Sequence, residues 1–186
     1  MDSEFQSDLK ESLKTIEIRS EGLMHFVSAF RNLTKLPKPN FKVIKVADLI
    51  HSVLKLMKDQ LQENGIQSRF EIDEPNLRVM ADRGLLEQVV INIILNAIQA
   101  MESSEVKTLT ISCETDSRNR VIINFSDSGP GIEEDVFEKV FIPFFSTKKS
   151  GSGIGLSLSR QIMRLHKGNI LVKPNEPQGA VFSLRL

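Results

Sequence analysis

Gln88, Asn92 and Asn96 recur at every fourth position of an otherwise apolar run. On a helix they form one polar line. The surrounding Leu86, Val89, Val90, Ile93, Ile94 and Ile98 predict that such a helix is buried. A buried carboxamide without partners costs about 1–3 kcal/mol, so the line needs partners. Either it faces solvent or closes a hydrogen-bond network in the core, or it faces a cleft that a ligand fills. In the second case an asparagine oxygen can ligate a hard cation such as Mg²⁺, and its amide can donate to phosphate oxygens.

Three more stretches have the composition of ligand-binding loops. Asp127-Ser128-Gly129-Pro130-Gly131-Ile132 follows an apolar strand. Glycines there permit unusual backbone angles and close approach of a ligand, and a carboxylate at a strand end can accept from an exocyclic amine such as adenine N6. The same residue types also make an ordinary turn. Gly151-Ser152-Gly153-Ile154-Gly155-Leu156 opens a predicted helix, so backbone N–H groups and a helix N-terminus can meet a phosphate chain, unless the glycines are simply a hinge. No Lys-Ser/Thr follows the last glycine and no strand directly precedes the run, which excludes a P-loop and the dinucleotide fingerprint. Between these loops, Phe141, Phe144 and Phe145 crowd a segment that ends in Lys148-Lys149. They form either a satellite core or a mobile lid over 133–150 whose lysines reach phosphates.

The elements that must position these residues are legible from spacing. Leu9, Leu13, Ile16, Ser20, Leu23, Val27, Phe30 and Thr34 step 4-3-4-3-4-3-4, the seam of a coiled coil or bundle, within one helix over 3–35. Met24, Phe26 and Leu33 widen the stripe and favour a bundle. Pro37 and Pro39 end that helix in a short linker. A mixed pattern follows: a strand at 41–46, then helical spacing from Leu49 to Leu61 that stops at Gly65. Strands are predicted at 66–72 and 77–81. Asp82 caps a helix to about Met101. A hairpin of 106–116 and 120–126 turns at Ser117-Arg118-Asn119. A helix over 154–167 ends at Gly168, and strands at 169–174 and 180–186 close the chain.

Composition sets the outer limits. The 186 residues are 40% hydrophobic and 26% charged, the mix of a soluble globular protein. Lys+Arg and Asp+Glu both number 24, which leaves no overall electrostatic footprint for nucleic acid. A single cysteine, Cys113, makes no internal disulfide and fits a reducing, cytoplasmic setting. No apolar run approaches the roughly 20 residues that cross a bilayer, so no membrane contact is expected of these residues, although a parent protein with upstream membrane segments stays open.

The order of the motifs is more telling than any one of them. Over about 41–186 the chain resembles the catalytic ATP-binding domain of bacterial sensor histidine kinases, in the superfamily shared with gyrase and the mismatch-repair ATPases. Asn92 to Ala97 resembles the asparagine box, Asp127 to Ile132 the first glycine box, Phe141 to Phe145 the phenylalanine box, and Gly151 to Leu156 the second glycine box. Gly179-Ala180-Val181-Phe182 resembles the last motif, with alanine where threonine is frequent, so position 180 receives no role. Residues 1–37 resemble the second helix of the dimerisation hairpin.

The resemblance implies an α+β fold, a two-layer sandwich whose mixed, mostly antiparallel sheet packs on helices behind one long helix. It implies ATP and Mg²⁺ as ligands. Asp127 would read adenine, Asn96 would hold the metal, and Asn92 would contact phosphates or metal-bound water. Gly129 and Gly131 would bring their turn close to the ligand, Gly153 and Gly155 would approach phosphates by backbone, and Lys148 would reach them by side chain. Ile132, Leu156 and Phe182 would line the base pocket. The expected partners are the phosphoacceptor hairpin, through it a response regulator, and a second copy of the parent protein.

The superfamily's ATPases resemble this chain but carry glutamate at the position of Asn92. A neutral amide is no general base for water, which favours phosphoryl transfer over hydrolysis. Glu87 lies about 140° away around the helix and is a poor substitute. The family's acceptor histidine is followed by an acidic residue, whereas here the pairs are His25-Phe26, His51-Ser52 and His166-Lys167. The acceptor is therefore expected on a hairpin helix outside these residues. His166 falls in a last helical turn, where a cation is favourable. The alternatives are a superfamily ATPase or a degenerate nucleotide-sensing module that signals through its N-terminal helix.

Overall fold

The computed structural model describes Lys10, Leu13–Glu17, Ser20 and residues 36–72, 74–146 and 153–186. The chain divides into two compact units, Met1–Leu36 and Pro37–Leu186. In the first, the described residues Lys10, Leu13–Glu17 and Ser20 are helical, and Leu13 and Ile16 of the expected seam are exposed. Leu9, Leu23, Met24, His25, Phe26, Val27, Phe30, Leu33 and Thr34 lie outside the described residues.

The second unit begins with β1 (Lys42–Lys45), α1 (Val46–Leu56), α2 (Lys58–Glu63), β2 (Gln67–Ile72) and β3 (Arg78–Ala81). α3 (Arg83–Ala100) leads into β4 (Thr108–Thr115) and β5 (Val121–Asp127). Two 3-10 turns, Glu134–Val136 and Lys139–Phe141, precede α4 (Gly155–Leu165), β6 (Asn169–Pro174) and β7 (Ala180–Arg185). β1 and β3 form an antiparallel ribbon, and the main sheet runs β2-β4-β5-β7-β6. Only its β2–β4 pair is parallel.

Alternation explains the layers. On β4, Leu109, Ile111 and Cys113 are buried and Thr110 and Ser112 are not; on β5, Val121, Ile123 and Phe125 are buried between the half-exposed Ile122 and Asn124. This period of two gives the sheet one apolar face, which packs against the helices. The same alternation turns Asp127, the last residue of β5 and buried like its odd-numbered neighbours, to the helix side. The helix layer is filled by Leu49, Ile50, Leu86, Ile93, Ile162 and Met163, all fully buried. Asp82 caps α3 as expected, its Oδ1 accepting the Leu85 N–H at 3.0 Å.

Two expectations are corrected. The helix expected from Leu49 to Leu61 is broken at Met57, between α1 and α2. Steps of four residues overshoot a full helical circle by about 40° each, and the break lets Val53, Met57 and Leu61 all stay buried. At the end of α4 it is Lys167, with φ 57°, that takes the left-handed conformation. Gly168 is demanded by crowding instead, since a Cβ there would run into the Arg185 carbonyl oxygen.

Candidate functional site

A cleft of about 770 Å³ opens between α3, the end of β5, the 130–146 segment and the start of α4. Its wall contains Asn92, Asn96, Asp127, Gly131, Ile132, Gly153, Gly155, Leu156 and Phe182, nine of the residues singled out by sequence. Two do not belong to this wall. Lys148 lies outside the described residues, with Gly151 and Ser152. Gly129 sits behind the wall, where a Cβ would come within 2.9 Å of Asp127 Oδ1 and 3.2 Å of Ala100 Cβ.

Asp127 is 3% exposed and anchored by main-chain donors. Its Oδ1 accepts the N–H of Gly129 at 2.9 Å and that of Ala180 at 3.3 Å. Its own carbonyl accepts from Asn175 Nδ2 at 2.8 Å. Next to it, Ser128 Oγ accepts the Thr108 N–H and donates to the Val106 carbonyl. The turn thus fixes the carboxylate before any ligand arrives. Gly131 and Gly179, with φ of 86° and 117°, let the two loops beside it touch: a Cβ on Gly131 would meet the Gly179 carbonyl oxygen at 3.0 Å, and one on Gly179 would strike that of Asp127.

The polar line of α3 divides. Asn92, Asn96 and Gln99 reach the cleft and Gln88 does not. Gln99 was missed by sequence, although it continues the line by the i+3 step that a helix allows. Asn92 Nδ2 donates to the Gly155 carbonyl at 3.2 Å and to Ser159 Oγ at 3.3 Å, while Ser159 Oγ donates to the same carbonyl at 2.9 Å. A carbonyl only accepts, so the amide nitrogen must point to α4, and the cleft is offered the oxygen. Glu87 pairs with Arg83 at 2.8 Å and does not line the cleft.

The second glycine motif and the phenylalanine segment are stitched together. Phe144 donates its N–H to the Gly153 carbonyl at 2.9 Å. Gly153 has φ +66°, and a Cβ there would lie 2.5 Å from the Phe144 carbonyl carbon. Gly155 is under neither constraint: its nearest would-be contacts are Asn92 atoms at 3.6–3.9 Å. The three phenylalanines take different roles. Phe141 is buried under the Arg160 guanidinium, 5.1 Å from its ring centre, Phe145 stands on the cleft wall, and Phe144 is exposed in a left-handed conformation, φ 67°. The satellite-core reading thus applies to Phe141, while Phe145 lines the cleft. Leu95, Ala100, Pro130, Val136, Val140 and Ala180 complete the apolar lining. Ala180, given no role by sequence, contributes through its N–H, which residue type does not reveal.

Of the histidines, His51 is exposed with its ring edge-on to Phe70. His166 is the C-cap residue of α4. It is buried, its Nδ1 lies 2.8 Å from the Ile162 carbonyl oxygen and its Nε2 accepts the Asp82 N–H at 3.0 Å. One partner only accepts and the other only donates, which fits the neutral ring with its proton on Nδ1. Among the described residues no group of three His, Cys, Asp or Glu gathers into a metal site, and no helix is long and apolar enough to cross a membrane.

Comparison with known proteins agrees with this geometry. The model of the histidine kinase-, DNA gyrase B- and HSP90-like ATPase family matches residues 81–186. The sensor histidine kinase ZraS of Salmonella typhi is 36% identical over 167 residues, 90% of this chain and 36% of ZraS. The chain thus spans about a third of that relative's length. The catalytic domain of the histidine kinase ThkA aligns at 36% identity with a TM-score of 0.71, over 79% of this chain and 95% of that domain. ThkA in complex with the response regulator protein TrrA aligns at 32% identity and a TM-score of 0.77, over 96% of this chain and 51% of the ThkA chain. The cleft, the sheet order and the match over 81–186 together place this chain in the histidine kinase-, DNA gyrase B- and HSP90-like ATPase family, as the catalytic ATP-binding domain of a bacterial sensor histidine kinase.

Proposed function

We propose that this chain binds Mg-ATP in the cleft and donates the γ-phosphoryl group to a histidine on a dimerisation hairpin. The observation that carries this reading is that one cleft gathers a buried carboxylate, three carboxamides and the turns of two glycine motifs. A cleft of this volume suits a nucleotide, since small-molecule sites run to about 300–1,000 Å³. Asp127, with Oδ1 engaged by two N–H groups, accepts from adenine N6 and rejects a base with a carbonyl there. Ile132, Leu156 and Phe182 flank the base, while Gly131, Gly153 and Gly155 give the ligand close backbone approach. Lys148 reaches for the phosphates.

The residues present fit a magnesium ion held mainly by phosphate. Mg²⁺ keeps several waters and takes few protein ligands, and the Asn96 carboxamide can supply one oxygen without any carboxylate cluster. When bound, the ion supplies charge neutralisation along the phosphate chain. Asn92, its Nδ2 spent on α4, offers an acceptor to metal-bound water. It does not offer a base, which favours transfer over hydrolysis.

The acceptor histidine belongs to the first helix of the hairpin. Residues 1–37 are its second helix and bring two copies together, and a response regulator takes the phosphoryl group in turn, in the cytoplasm. The test is incubation with γ-labelled ATP, with and without an intact hairpin added in trans, read as acid-labile, alkali-stable phosphate. Labelling of the added hairpin, with little on this chain, is expected. ATP binding without transfer would favour the degenerate nucleotide-sensing alternative, and labelling of this chain alone that is lost in His25→Ala would make His25 the acceptor.

A further inference from the structure

Three separate parts of the chain meet at Asp82 and His166, away from the cleft wall. Asp82 is the cap of α3: its Oδ1 holds the Leu85 N–H at 3.0 Å and its Oδ2 holds the Asn40 N–H at 2.7 Å. The Asn40 N–H keeps the carboxyl below its ordinary range, against the upward push of burial and with help from the Leu85 and Gly84 N–H groups. The Asp82 N–H is donated to His166 Nε2 at 3.0 Å, and His166 Nδ1 is tied to the Ile162 carbonyl at 2.8 Å. Phe41 stands edge-on to the His166 ring, centroids 5.2 Å apart.

These contacts connect elements with different duties. α3 carries Asn92 and Asn96, and α4 begins with Gly155 and Leu156, so the two helices form facing parts of the cleft. The middle of α3 is latched to the first turn of α4 by Asn92 on Gly155 and Ser159. At the far end they are latched again, the start of α3 to the end of α4, by Asp82 on His166. Residues 37–41 open the second unit, directly after its boundary with the first, and both Asn40 and Phe41 are held at this second latch.

We propose that Asp82 and His166 are positioning residues that couple residues 37–41 to the nucleotide cleft, so that nucleotide occupancy and the seating of Asn40 and Phe41 strengthen each other. The reasoning is thermodynamic. A ligand that bridges α3 and α4 fixes their relative placement, and the far latch closes at one placement only. Residues seated on that latch therefore gain protection when the cleft fills, and by reciprocity the cleft gains affinity when they are seated. The proposal rests on the nucleotide reading of the cleft.

The probe is AMP-PNP with Mg²⁺, and the readouts are its affinity by calorimetry and amide exchange of the full chain by NMR. Saturation is expected to raise protection of the Asn40 and Asp82 amides about fivefold or more, the lower range of allosteric coupling. Two substitutions separate coupling from simple stability. His166→Gln can place an acceptor near the position of Nε2 and should preserve the response. His166→Asn can reach Ile162 but not Asp82, and should abolish the response at Asn40 while AMP-PNP still binds several-fold more weakly. Should His166→Asn fail to fold, Asn40→Pro removes the donor itself at an exposed position and should weaken binding several-fold from outside the cleft. AMP-PNP binding with Asn40 and Asp82 unchanged, or with affinity untouched by Asn40→Pro, overturns the coupling alone. Absence of any AMP-PNP binding by the parent chain overturns the nucleotide reading and the coupling with it.

Discussion

Replacing Asp127 in two ways separates its part in the fold from its part in ligand recognition. Oδ1 satisfies the N–H groups of Gly129 and Ala180, and both residues are buried. Asp127→Ala strands both donors, each at about 1–3 kcal/mol, so it should destabilise the fold by at least about 2 kcal/mol. For a chain of this size that is a fall in melting temperature of roughly 4–8 °C. Asp127→Asn keeps an oxygen at the Oδ1 position for both main-chain donors, so the melt should fall less than in Asp127→Ala. Recognition should change instead. Loss of a charge-assisted acceptor for adenine N6 costs about 1.5–3 kcal/mol, a weakening of ATP binding of about 10- to 150-fold. GTP, which presents a carbonyl there, should gain relative to ATP. Calorimetry with both nucleotides and thermal melts of both variants decide the matter. Parental ATP affinity in Asp127→Asn would remove this carboxylate from base recognition, and equal melts for the two variants would refute the role assigned to Oδ1.

Gly153→Ala should lower the melting temperature and ATP affinity together, because the left-handed φ costs about 1–2 kcal/mol in a residue with Cβ and that Cβ meets Phe144 at 2.5 Å; Gly155→Ala should leave the melt unchanged, and equal effects of the two would refute the steric account. Asn96→Ala should weaken Mg-ATP binding more than metal-free ATP binding, whereas equal losses in both titrations would make Asn96 structural. Asn92→Glu should lower the melting temperature without creating hydrolysis, and a stable variant with a raised rate of phosphate release would show that the position accepts a base. The Asp116 carboxyl is pulled down to about 2, chiefly by the Arg120 N–H and side chain. A folded value below the unfolded one stabilises fully above about pH 4 and fades as pH falls towards 2, so Asp116→Asn should melt lower than the parent at pH 7, with the gap closing near pH 2.5.

What was legible in the sequence was what side chains repeat. Alternation on β5 placed Asp127 inward, and the fourfold step on α3 brought Asn92 and Asn96 to one wall. What was hidden depends on backbone meeting backbone. Gly153 looked like a phosphate-binding glycine, yet its absolute requirement is the close pass of Phe144. Gly155, two positions on, has the same residue type and neither the angle nor the crowding. Ala180 acts through an N–H that every residue except proline carries. The seat of Asn40 and Phe41 at Asp82 and His166 joins segments 42 and 84 residues apart in sequence, and no local pattern announces it.

Asn92 shows why the neutral residue matters for more than the absence of a base. Its amide nitrogen is the donor that meets the Gly155 carbonyl, at the point where α4 starts. A glutamate in that place has no N–H to give, and a carboxylate turned towards the carbonyl would repel it and strand an acceptor. The latch between α3 and α4 would then have to open, and with it the wall that Gly155 and Leu156 present to the cleft. In the proposed reading hydrolysis is disfavoured twice: once because a carboxamide takes no proton from water, and again because this wall is built around the amide nitrogen. The oxygen that remains can only accept, so in the proposed reading Asn92 would meet metal-bound water rather than the phosphate oxygens.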